Sequence, residues 1–344
     1  MITVACSSFF VPPEWVAAHG FRPERLIPEA PVTEGCVACG EGMCPYARAM
    51  AHAALRDDVR AVVFAPTCDQ QRRVAELSGT RRQDAATFLL HVPRVARSEN
   101  CRRYYRSEIE RLGRFLVEIG GRPPEREFLI ETMSRFDAAR DRLRRAAEAR
   151  RLGTSSLSAR TLAEGMVRFH RSGDPEVIDT VGRGAGERGK AGRTGRRRIA
   201  LLGGPLFETD LAFFDWIEVA GGDIVLDGTE NGERTLAAAF DMARLGDDPV
   251  GELVRAYFDA IPDVSRRSND GLLNWVRDSA AAGRIDGVVL RHHVWCDQWM
   301  AEVPRIGEVA GVPVLAVDSS GRPDGRTRTR IEAFVEMLLA GVGG

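Results

Sequence analysis

From Met1 to about Val95, short apolar runs alternate with stretches of helical periodicity. Ile2–Ala5, Leu26–Ile27, Arg60–Ala65 and Phe88–Val92 read as strands. The run Ala61-Val62-Val63-Phe64-Ala65 has no polar alternation, which is what a parallel strand covered on both faces requires. From about Glu99 to Arg171 the pattern changes to long charged helical stretches, with Ile109, Leu112, Leu116 and Ile119 on one apolar face. A second alternating series follows, with strands at Ile199–Leu202, Ile224–Leu226, Gly287–Leu290 and Val312–Val317. The pattern predicts the α/β class: two doubly wound domains of the Rossmann or flavodoxin-like kind with a helical arm between them. The expected division is an N-terminal α/β domain at 1–98, a helical arm at 99–181, a linker at 182–198 and a C-terminal α/β domain at 199–344. Ligands of such sheets bind beyond the carboxyl ends of the strands, where Cys68 and Cys296 each fall.

The linker, Gly182 to Arg198, is dominated by Gly and Arg and has no periodicity to hold it in a core. Within it, Gly184-Ala185-Gly186-Glu187-Arg188-Gly189-Lys190 satisfies a dinucleotide pattern and most of a phosphate-loop pattern. Neither reading stands, because Ala191 occupies the place of the magnesium-binding Ser or Thr, and Gly192–Gly195 opens no stable helix. The turn Leu202-Gly203-Gly204-Pro205-Leu206 is better placed, after a strand and before a helix. Gly203 and Gly204 are therefore candidates for backbone contact with an anionic or carbonyl ligand.

At 344 residues, 44% hydrophobic and 28% charged, the composition is that of a globular protein. A formal net charge of -1 gives no electrostatic reason to expect nucleic acid or an anionic membrane as partner. No basic, apolar leader pattern opens the chain, and no window is apolar enough to span a bilayer, so a cytoplasmic location is expected. There the seven cysteines are expected to be reduced, and their uneven spacing points to metal or redox chemistry before disulfides.

Cys68 lies in Ala65-Pro66-Thr67-Cys68-Asp69-Gln70, where an apolar strand ends and a helix starts with Asp69 as a plausible cap. Cys296 repeats the arrangement after Gly287-Val288-Val289-Leu290, in Arg291-His292-His293-Val294-Trp295-Cys296-Asp297. Two Cys-Asp pairs at matching strand ends suggest shared metal ligation. Cys36, Cys39 and Cys44 form a third group just before the helix Pro45–Leu55. A zinc site using His292, His293 and Cys296 is an alternative, while an iron–sulfur cluster takes cysteines from distant loops. Cys6 and Cys101 have no such company.

Taken together, the pattern resembles the 2-hydroxyacyl-CoA dehydratase family, which includes benzoyl-CoA reductase subunits. The resemblance is carried by Phe10-Val11-Pro12-Pro13-Glu14, Cys44-Pro45-Tyr46-Ala47-Arg48, Thr67-Cys68-Asp69 and His91-Val92-Pro93-Arg94. In the second half it is carried by Leu202–Leu206, Cys296-Asp297 with Glu302 and Pro304, and Arg328–Phe334. The resemblance implies a [4Fe-4S] cluster held between two α/β domains by Cys44, Cys68 and Cys296, with the fourth iron open. Cys36 and Cys39 are additional to that trio. Glu302, on the helix opened by Asp297, is the candidate for handling a proton.

The implied reaction delivers one low-potential electron to an acyl-CoA thioester, giving a ketyl radical anion from which an α-hydroxyl leaves. Lowering an electron by roughly 200 mV below a ferredoxin near about -400 mV costs about 4.7 kcal/mol. The chain shows no credible ATP site. The implied partners are therefore an ATP-hydrolysing iron–sulfur activator, a second homologous subunit and an acyl-CoA substrate. A non-catalytic electron-transfer or cluster-carrying subunit is the alternative.

Overall fold

The computed structural model describes residues 2–32, 42–81, 85–96, 98–180, 195–322 and 324–341. Cys36, Cys39 and the glycine motif at 184–190 lie outside the described residues.

The first half contains a four-stranded parallel sheet of β1 (Thr3–Cys6), β2 (Arg22–Arg25), β3 (Val59–Phe64) and β4 (Ala86–Leu89), in the order β2-β1-β3-β4. Alternate residues of these strands enter opposite cores. Val4, Ala61, Val63 and Phe88 face one, and Ala5, Val62 and Phe64 face the other. Burial on both faces explains the unbroken apolar run of β3. The second strand begins earlier than its apolar signal suggested: Arg22–Arg25 pair with β1, and Leu26–Ile27 follow the strand. As an edge strand it has one neighbour, so Arg22 projects outward and polar residues are tolerated.

The second sheet repeats the plan with β5 (Arg197–Gly203), β6 (Gly222–Gly228), β7 (Gly287–His293) and β8 (Val314–Ser319), in the order β6-β5-β7-β8. Again the strands are buried on two faces, Leu201 and Val289 on one and Leu202 and Leu290 on the other. Both sheets reverse winding direction between their first and third strands. Such reversal points open crevices at the carboxyl ends.

Helices α1 (Pro13–Ala18), α2 (Pro45–Ala54) and α3 (Asp69–Arg81) cover the first sheet. The long α4 (Glu99–Glu118) lays Tyr105, Ile109, Leu112 and Leu116 into the same core as Val4 and Val63. Next, α5 (Arg126–Arg151) packs on α1 and β6, and α6 (Ala159–Ser172) on β2 and β6, so both helices touch the two halves. Helices α7 (Ala212–Val219), α8 (Met242–Asp247), α9 (Pro249–Leu253), α10 (Asp270–Gly283), α11 (Asp297–Ala310) and α12 (Gly325–Leu339) complete the chain. Phe240, Leu253, Tyr257 and Phe258, which follow β6 in sequence, join the core of the first half. Among the described residues no helix is long and apolar enough to cross a membrane.

Candidate functional site

The carboxyl ends of the two sheets face each other. Arg25, ending β2, pairs with Glu230, just beyond β6, at 2.8 Å with both side chains buried. Gln298 donates to the Thr67 carbonyl at 3.2 Å, so the residues flanking Cys68 and Cys296 are tied across the two halves. Tyr46 packs against Phe207 and His293, with ring centroids 5.2 and 5.5 Å apart.

Cys44, Cys68 and Cys296 stand at the N-termini of α2, α3 and α11. Each uses its carbonyl to accept the first helical N–H, from Arg48, Arg72 and Met300 respectively. The caps are therefore the cysteines themselves: Asp69, expected as a cap, is the first helical residue, and Asp297 opens its helix as expected. Burial pushes all three thiols up, to about 11 for Cys68 and Cys296. Backbone N–H groups oppose this: those of Tyr46 and Ala47 at Cys44, of Gln70 and Gln71 at Cys68, and of Trp299 at Cys296. No full capping hydrogen bond closes at Cys44 or Cys296. The amide groups are positioned to favour thiolates while their sulfurs remain available.

Each of the three thiols also raises another's pKa: Cys68 acts on Cys44, Cys296 on Cys68, and Cys44 on Cys296. They therefore border one common volume. Yet among the described residues no group of three or more Cys, His, Asp or Glu is close enough to hold a single metal ion. Sulfurs around one zinc, at about 2.3 Å each, would sit about 3.8 Å apart. The donors are three thiols from separate helix starts, the ligand chemistry that iron–sulfur clusters take. His293, one residue of the zinc alternative, has both ring nitrogens engaged: Arg291 Nη2 is 3.1 Å from Nδ1, and Nε2 lies 2.8 Å from Arg291 Nη1 and 2.9 Å from the Pro205 carbonyl.

Three charged residues that the sequence reading passed over complete the surroundings. Arg291 is fully buried, bonded to Asp210 at 2.5 Å and the Pro205 carbonyl at 2.8 Å, and its charge favours the thiolates of Cys44 and Cys296. Glu230 acts oppositely on Cys68 and Cys296, and burial holds its own carboxyl above the usual range, with Arg25 partly offsetting this. The available signal was an arginine, Arg291, continuing the apolar run of β7. Glu230 stands in Asp227-Gly228-Thr229-Glu230-Asn231-Gly232, a segment rich in turn-forming residues that carries no such signal.

Gly203 and Gly204 stand beside these groups. The Gly204 carbonyl accepts from the Glu230 N–H, and that of Gly203 accepts from the buried Arg234. Gly203 adopts φ +144°, and a Cβ there would lie 1.9 Å from the Arg291 carbonyl oxygen, so the close strand approach itself demands glycine. Glu302 is buried on α11, with Oε1 accepting from Asn269 at 2.5 Å and Oε2 paired with Arg305 at 3.1 Å. Those contacts tie α11 to the start of α10.

The family model described as "2-hydroxyglutaryl-CoA dehydratase, D-component" matches residues 8–338. No curated protein matches. Among solved structures, a FpvC mutant from Pseudomonas aeruginosa is similar at 12% identity over 99% of this chain and 98% of that one, with a TM-score of 0.21. So low a score carries no argument.

Proposed function

We infer, from the premise that this chain belongs to the 2-hydroxyglutaryl-CoA dehydratase D-component family, that it is one subunit of a 2-hydroxyacyl-CoA dehydratase-like enzyme. We propose that Cys44, Cys68 and Cys296 hold a [4Fe-4S] cluster. The observation carrying this assignment is the convergence of three thiols, each at a helix N-terminus, on one volume between facing sheet ends. When bound, such a cluster supplies a low-potential electron for an acyl-CoA thioester.

The chain's own residues then have definable tasks. The amide groups opening α2, α3 and α11 favour the thiolate forms of the ligands, and Arg291 contributes a fixed positive charge beneath them. We assign the Gly203–Gly204 turn as the backbone that meets the thioester. Proton handling is assigned to Glu230 in place of Glu302, since Glu230 influences two of the three cysteines while Glu302 is bound to Asn269 and Arg305. Glu302 instead positions the helix that presents Cys296.

Activity is expected only when a second homologous subunit, an ATP-hydrolysing activator, ATP and a reductant are supplied together with a 2-hydroxyacyl-CoA. Multiple turnovers by the isolated chain without ATP would contradict this reading. Cluster content unchanged by the partners, with product formed only in their presence, would support it.

A further inference from the structure

Beyond the end of β1, under α5 and α6, lies a cavity of about 40 Å³, measured for the centres of water-sized spheres. Its walls are mostly apolar and include Phe9, Val11, Phe136, Phe169 and Leu236. Arg25, Arg140 and His170 also reach it. Both terminal nitrogens of Arg140 face Glu14, one of them also donating to the Tyr257 hydroxyl, and its Nε, without a hydrogen-bond partner, lies 3.8 Å from Asp137 Oδ1. Arg25 and His170 are not fully committed.

Arg25 is 6% exposed; its Nη2 donates to Glu230, while its Nη1 is buried without a hydrogen-bond partner. His170 Nε2 is buried without one as well. Folded interiors answer such orphan groups with water or with a ligand. Burial, and then the charges of Arg25 and Arg140, hold the His170 ring well below the usual imidazole range. The ring is therefore neutral at neutral pH and free to donate from Nε2. The charges of Arg25 and Arg140 are felt at the ring although each is paired with a carboxylate, and they favour an anion there.

On this measure one water takes about 10–15 Å³, so the space admits about three water-sized groups. An apolar wall facing two N–H donors is a poor host for water alone and a good one for a short chain ending in oxygen. We propose that this cavity binds a short aliphatic carboxylate of two or three carbons, its oxygens taken by Arg25 Nη1 and His170 Nε2 and its chain packed among Phe9, Phe136 and Phe169. The site does not depend on the cysteine assignment. It does adjoin it, because Arg25 is shared with Glu230.

The test is thermal unfolding of the full chain with formate, acetate, propionate, hexanoate or chloride at matched ionic strength. Acetate and propionate should raise the melting temperature by about 4 °C at a hundredfold excess over their dissociation constants. Hexanoate and chloride should not. His170→Phe removes one donor and Ala237→Leu fills the space, so each should abolish the carboxylate-dependent rise, whereas His170→Gln, which restores an N–H, should recover part of it. Arg25 is left in place because its loss would strand Glu230 in the interior. An equal rise with chloride, a rise that survives in whichever filling or donor variant folds, or no rise with any acid would overturn the proposal and leave a cavity that holds water only.

Discussion

Gly203 and Gly204 are adjacent and share one turn, yet replacing each by alanine should have very different effects. An ideal Cβ on Gly203 falls 1.9 Å from the Arg291 carbonyl oxygen and 3.0 Å from its carbonyl carbon. Carbon–oxygen contacts settle at about 3.3 Å, so β5 and β7 would have to part by about 1.4 Å where Gly203 pairs with Arg291. Overpacking of this kind costs about 1–3 kcal/mol, and φ +144° adds about 1–3 kcal/mol of backbone strain for any residue bearing a Cβ. Gly203→Ala should therefore lose about 4 kcal/mol of a total in the range of about 5–15 kcal/mol. At about 2.1 cal/mol/K per residue, that is a melting-temperature drop of about 6 °C. A Cβ on Gly204 meets only the Trp299 ring, at 3.3 and 3.4 Å, and Gly204→Ala should cost under about 1 kcal/mol. Thermal and urea unfolding of both variants reads the difference. Because Arg291 underlies Cys44 and Cys296, iron retention should fall in the same order. A Gly203→Ala protein that melts within 1 °C of the parent would refute the close-approach argument.

Between pH 7.5 and 5 the buried histidines and the buried carboxylates should act on stability in opposite senses. Burial holds His19, His170 and His293 below the ordinary 6.5, so the unfolded chain binds their protons first as pH falls. The histidine contribution is complete above about pH 6.5 and is lost as pH falls toward the folded values, while Glu233, raised to about 7 by burial, contributes in the opposite sense; denaturant titrations from pH 7.5 to 5 should therefore show the parent losing stability relative to His170→Phe, and a constant difference between the two would contradict it. Glu14 is fully buried against Arg140 at 3.1 Å and accepts from Tyr257 at 2.7 Å. Glu14→Ala should therefore cost about 3–5 kcal/mol in urea unfolding by removing the carboxylate nearest to buried Arg140, which would keep only Asp137 at 3.8 Å, with Glu14→Gln milder and Glu14→Ala at parental stability the refuting result.

Legibility in the sequence followed burial. Strands covered on both faces announced themselves as uninterrupted apolar runs, and β3 and β7 were found within a residue at their starts. The edge strand β2 was displaced because Arg22-Pro23-Glu24-Arg25 has no apolar run, and its pairing comes from backbone bonds to β1 alone. Cys68 and Cys296 were recognisable because a strand, a loop and a helix start recur at matching places. Asp69 was misread as a cap because carboxylates are the commoner capping groups, whereas here Cys68 occupies that position; Asp297 opens its helix as expected. Arg25, Glu230 and Arg291 escaped notice because charged residues are ordinarily solvated. Only the facing of the two sheet ends, set by contacts distant in sequence, turns them into a buried electrostatic frame.

The central claim is that Cys44, Cys68 and Cys296 together hold one iron–sulfur cluster. Its most direct test is iron and acid-labile sulfide per chain in anaerobically prepared protein, compared with Cys44→Ser, Cys68→Ser and Cys296→Ser variants whose folding is checked by circular dichroism. About four irons and about four sulfides per chain are expected in the parent, falling sharply in every variant. Iron undiminished in all three folded variants, or iron lost only when Cys36 or Cys39 is changed, would contradict it.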